Sequence, residues 1–212
     1  MGIRAARRRT PIRLDFLGTL IIAQGKSESL VVGGDDNLLP LIETVAEGDQ
    51  LVIRPTSGQG LHVWPTRPLR YRLTVRELSA LTLVGAGAIR AQNLHTSSLR
   101  VELSGAGAVT LGLHADRLEV LLGGAGGLVV SGAVREQQVT MSGAGSYSAG
   151  DLLSKRCTIR VAGIGGARVN CTDALDAEIS GLGSISYAGQ PAVVHQHVSG
   201  LGHVGPAGSS AR

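Results

Sequence analysis

The sequence predicts an all-β chain folded as a β-solenoid: a single-stranded coil of about 19 residues per turn, with less regular capping strands on its N-terminal side. Three observations predict it. A Gly-x-Gly element recurs seven times in the 212 residues, its first glycine at Gly85, Gly105, Gly124, Gly143, Gly163, Gly181 and Gly200. The spacings are 20, 19, 19, 20, 18 and 19 residues, and so steady a period marks a repeat architecture. Each copy is flanked by short alternating apolar and polar runs with no helical periodicity. The apolar material is aliphatic: the chain is 43% hydrophobic but 2% aromatic, with 31 glycines and 7 prolines. That composition suits a narrow stacked core and fits neither collagen nor a linker.

Residues 1–18 read as a basic, flexible arm. Arg4, Arg7, Arg8, Arg9 and Arg13 precede the first acid, Asp15, so the formal net charge of +4 falls to about −1 over the remaining residues. A basic tail on a near-neutral body is unlike a nucleic-acid-binding fold, which spreads Lys and Arg over one face. No specific nucleic-acid partner is therefore expected. The start "MGIRAARRR" would suit a signal peptide, but "LDFLGTLIIA" is broken by Asp15, Gly18 and Thr19, so no export signal is read. No apolar run approaches the roughly 18 residues of a transmembrane helix.

Between residues 19 and 80, "TLIIAQG", "SLVVGG", "LVIRP" and "YRLTV" read as strands separated by the turn-rich "GDDN" and "AEGD". These strands are expected to form the first, wider coils and to cap the solenoid as part of one domain, residues 19–204. Asp35, Asp36 and Asn37 are ordinary turn formers without calcium-loop spacing. The segment "TSGQGLHVWPTRP", Thr56 to Pro68, reads as a loop carrying the only tryptophan. His62 and Trp64 there could stack a sugar or pack over the end of the core.

From Leu81 onward the columns are regular. Two residues before each glycine stand Leu83, Leu103, Leu122, Met141, Val161, Ile179 and Val198; four after it stand Ile89, Val109, Leu128, Tyr147, Ala167, Ile185 and Val204. Apolar residues at even offsets and mainly polar ones at odd offsets describe strands with one buried face. The second glycine never varies among the copies, so the corner demands either a positive φ or a site with no room for Cβ. A dinucleotide fingerprint is excluded, because it needs one G-x-G-x-x-G opening a helix. The segment after Val204, residues 205–212, reads as a frayed tail.

The string "SGLGSISYAGQPAV…HQHVSGLG", with upstream "GDDNLLPLIET" and "LVIRP", resembles the putative auto-transporter adhesin, head GIN domain family. The resemblance runs from about Thr19 to Val204. It implies a right-handed parallel β-helix, a location at the cell envelope or outside the cell, no cofactor and no catalytic residues. With no export signal visible, the alternative is a cytoplasmic member. The corners are mostly G-A-G here where that family more often shows G-S-G, which makes the strip more apolar.

The candidate sites follow from stacking the columns. One residue after the first glycine stand Ala86, Ala106, Ala125, Ala144, Ile164, Leu182 and Leu201. If this ladder faces outward, Ile164, Leu182 and Leu201 make an apolar patch of the kind that marks an interface; the corner could instead turn them inward. Asp176 and Glu178 should face His195 and His197 one coil on, a set able to ligate Zn²⁺ or to form a solvated ion-pair ladder. Cys157 shares an inward column with Leu99, Leu118 and Leu175, while Cys171 lies in another, so no disulfide is expected. The reading that results is a non-enzymatic structural and adhesive module, presenting flat faces to copies of itself or to a protein or glycan partner. The alternative is a carbohydrate-binding or polysaccharide-active β-helix, which would need carboxylates gathered in a groove.

Overall fold

In the computed structural model, residues 10–56 and 67–208 are described. Strands β1 (Thr10–Leu14), β2 (Gly18–Gln24) and β3 (Ser29–Gly33) lead to a 3₁₀ turn at Leu39–Leu41. Then come β4 (Ile42–Glu47), β5 (Gln50–Pro55), β6 (Arg70–Val75) and β7 (Leu78–Leu83). Five long strands follow: β8 (Ala86–Leu103), β9 (Ala106–Leu122), β10 (Ala125–Met141), β11 (Ala144–Val161) and β12 (Ile164–Ile179). The last are β13 (Leu182–Ala188), β14 (Val193–Val198) and β15 (Leu201–Pro206). All belong to one sheet wound into a β-solenoid of about 7 turns with about 19 residues per turn.

Each of β8 to β12 is a whole coil paired in parallel with the next, residue for residue between β9 and β10 and with local register shifts, such as Ala91/Leu94 and Ala149/Leu153, in the others. The columns predicted from sequence are the stacks observed: Leu103, Leu122, Met141, Val161 and Ile179 are adjacent in register and at most 3% exposed. The stacking also explains the glycines. A Cβ on Gly126, Gly145 or Gly183 would overlap the carbonyl oxygen of Gly107, Gly126 or Gly165, one coil away. Of the two predicted reasons, lack of room governs the corner; only Gly165 among the ladder glycines has a φ in the left-handed region.

The N-terminal region differs from its reading in two ways. Thr10–Leu14, assigned to a flexible arm, is a strand with Ile12 and Leu14 fully buried, so the ordered solenoid begins at Thr10. The segment is apolar at alternate positions, and Arg13 is held by Asp15 at 2.8 Å. Spatial order also departs from chain order. β1 lies between β5 and β7, and β2 between β6 and β8, so the first coil is covered by a later one. Antiparallel β4 on β5 and β3 on β6 then close that end. At the other end, the predicted frayed tail is strand through Pro206, and Ala207 N–H donates to the Tyr187 carbonyl at 2.7 Å.

Candidate functional site

The seven corner residues from Ala86 to Leu201 stand in register, each paired with its equivalent in the next coil. All are exposed. The sequence leaves open which way they point, and the fold turns them outward. Backbone hydrogen bonds hold each corner against the one before: Ala125 N–H to Gly105 carbonyl, Ala144 to Gly124, Ile164 to Gly143 and Leu182 to Gly163, at 3.0–3.1 Å. The same-face neighbours two residues away are mostly small, such as Ser142, Ser180 and Ser184, so the strip is shallow, with His203 standing beside Leu201. Ile164 is 60% exposed, Leu182 49% and Leu201 79%. Burying such groups against a partner would release about 1.5–3 kcal/mol each.

The Asp176–Glu178–His195–His197 set is brought together only in pairs: Asp176 lies opposite His195 and Glu178 opposite His197. Glu178 is engaged by Arg160 at 3.2 Å. Among the described residues no group of three or more His, Cys, Asp or Glu converges to hold a metal ion, because alternate residues of one strand diverge along it. Arg160–Glu178 is one rung of a series of cross-coil ion pairs that includes Arg100–Glu119 at 2.7 Å and Arg156–Glu136 at 3.1 Å. Exposed as they are, each contributes at most about 1 kcal/mol. His62 and Trp64 lie outside the described residues.

Two features escaped the sequence reading. His95 and His114, equivalent in successive coils, stack with ring centroids 5.0 Å apart; the shared offset could have signalled this. Inside the coil, Gln137 fills the leucine column and is 2% exposed. It donates to Ser154 Oγ at 2.7 Å and to Cys157 Sγ at 3.1 Å, and its Oε1 accepts from the Tyr147 hydroxyl at 2.8 Å. The bulk of Tyr147 is accommodated because its counterpart in the next coil is Ala167. Both cysteines are free and buried. They nonetheless adjoin: donating toward the Cys171 sulfur, together with burial, raises the Cys157 thiol, while accepting from Cys157 lowers Cys171. This buried set is hydrogen-bonded internally, and only Ser154 of it borders a shallow surface groove, beside Val134, Leu153 and Thr172.

Comparison with known proteins bears on the fold and the family. A family model described as "Putative auto-transporter adhesin, head GIN domain" matches residues 10–191. No curated protein matches the chain. Among solved structures, a putative adhesin from Bacteroides fragilis is 22% identical with a TM-score of 0.87, over 96% of this chain and 93% of that one. A putative adhesin from Parabacteroides distasonis, also 22% identical, has a TM-score of 0.72 over 96% and 94%. A putative lipid binding protein from the same species is 22% identical with a TM-score of 0.68 over 97% and 95%. At these identities the likeness is one of fold.

Proposed function

Because the chain belongs to the family of the putative auto-transporter adhesin, head GIN domain, we propose that it is a non-enzymatic adhesive module whose contact surface is the flat corner strip. Its place of action on this reading is the cell surface, in keeping with the family's description. The observation that carries the reading is the outward ladder of Ile164, Leu182 and Leu201, exposed in register in successive coils. A rigid, flat, aliphatic surface suits contact with another flat apolar surface. It offers no depth to enclose a small molecule.

Beads coated with the chain test this through bead clustering and attachment to bacterial cells. The double substitution Ile164→Lys with Leu182→Lys places two charges on the strip without touching the core. Attachment is expected to fall at least about tenfold with the circular dichroism spectrum unchanged. Undiminished attachment by a folded double variant would refute the strip as the contact.

A further inference from the structure

The two ends of the solenoid are finished differently. At the N-terminal end the inward residues are covered: Ile53 and Tyr71 are fully buried beneath the capping strands. At the other end β14 pairs only with β12 and β15 only with β13, so among the described residues their outer edges are unpaired. The inward column of β14 is open as well, while Val204 on β15 is buried. Leu175, Ala177 and Ile179 are at most 1% exposed, whereas their equivalents one coil later, Val194 and Val198, are 38% and 42% exposed. Gln196, between them, is also exposed and is an amide in a column otherwise apolar.

Folded proteins guard such edges with charge or irregularity. Here residues 189–208 contain no Asp, Glu, Lys or Arg, so the described residues of this end set no like-charge barrier to meeting itself. Among the described residues, the charged groups behind this end include Asp173, Asp176 and Glu178 one coil back and Arg160 and Arg168 two coils back. The opposite end, closed by antiparallel strands, offers no open parallel coil for head-to-tail stacking. An end that cannot meet its opposite meets its own kind, and an isologous contact closes after two copies.

The geometry points to a two-fold, end-to-end dimer in which β14 of one copy pairs antiparallel with β14 of a second copy, centred on Gln196. This register keeps inward residues against inward residues, as a shared core requires. Val194 then lies opposite Val198 of the second copy, and the two Gln196 amides can each donate to the other's carbonyl. That assigns a role to the amide, which inside a single coil has no partner column. His195 falls opposite His197 of the second copy on the outer face. A coil about 60 Å around presents an end of roughly 500 Å², so the contact covers on the order of 1,000 Å² in total, at the lower limit for a specific interface. A micromolar dimer is therefore expected. It would bring the strips of two copies, whose apolar residues Ile164, Leu182 and Leu201 belong to the last three coils, toward the middle of a rod twice as long, which goes beyond the adhesive reading but would strengthen it through bivalency.

Sedimentation of the full chain across about 1–200 µM, with small-angle scattering at the upper end, should show a reversible dimer of doubled length. Val194→Lys with Val198→Lys should weaken it at least about tenfold while the spectrum stays native, and Val129→Lys, on the outer face of β10, should not. Gln196→Cys should cross-link across the axis under mild oxidation; Leu182→Cys should not. A wild-type chain monomeric throughout overturns the inference. So does a dimer that cross-links through Leu182→Cys but not Gln196→Cys, which would assign association to the strip. Loss of bead attachment in the strip variants with the dimer intact would separate the two surfaces.

Discussion

Glycine at the corners is a packing requirement, and this sets the scale of the first prediction. A methyl group at position 126 would meet the Gly107 carbonyl, which is held on both sides by neighbouring coils. Gly126→Ala should therefore cost about 3 kcal/mol, an overpacking penalty with no route for relaxation. Gly33→Ala, where the added carbon meets open space, should stay within about 0.5 kcal/mol; urea midpoints compare them. The buried Gln137–Tyr147 pair gives the second. Gln137→Leu restores the leucine column but leaves the Tyr147 hydroxyl without its acceptor, costing about 1–3 kcal/mol. Adding Tyr147→Phe should recover most of that loss, the non-additivity expected when both members of a buried hydrogen bond are removed. Burial, together with the Cys157 thiol, also holds the Tyr147 hydroxyl above its ordinary ionisation range. In the unfolded chain the phenol ionises near pH ~10. Above that pH the unfolded state releases a proton that the folded state keeps, so this contribution is full below about pH 10 and declines as pH rises. Between about pH 9 and 11, the double variant should lose less stability than the native chain, read from the same midpoints.

At the scale of the element, one coil is a nearly self-contained unit. β8 to β12 pair column by column, and the charged rungs outside add little. Stability in such a stack is close to a sum of coil and interface terms. Removing one repeat in register, residues 107–125, joins Ala106 to Gly126 and sets Leu128 below Ile89. The shortened chain should keep its β spectrum and unfold cooperatively at a lower urea midpoint, because one coil and one interface are lost and no new mismatch is made. A deletion two residues shorter should be less stable still, since the corner glycines on the two sides of the junction would no longer face each other, although the coils beyond keep their mutual register.

Over the whole molecule, protection should be uneven. The coils β9 to β11 are covered on both sides, while β14 and β15 each have one free edge among the described residues and every residue of β14 is exposed. Hydrogen exchange should place β9 to β11 near the global unfolding free energy and β14 far below it, because local opening there breaks few apolar contacts. In the dimer, β14 protection should rise with concentration.

How much of this was legible depended on whether a contact repeats. Leu103 above Leu122, Asp176 opposite His195 and the flat ladder are all consequences of a constant period, since equal offsets in successive coils become neighbours when coils stack. The sequence alone therefore determined the solenoid, its columns and the residues of the strip. Tertiary structure decided the rest. That Ile164 points outward depends on the path of the backbone through the corner. That β1 and β2 are sandwiched between later coils has no repeat to announce it. Gln137 meets Tyr147 because side chains from different columns converge inside a narrow coil, and that convergence depends on curvature, which periodicity does not record.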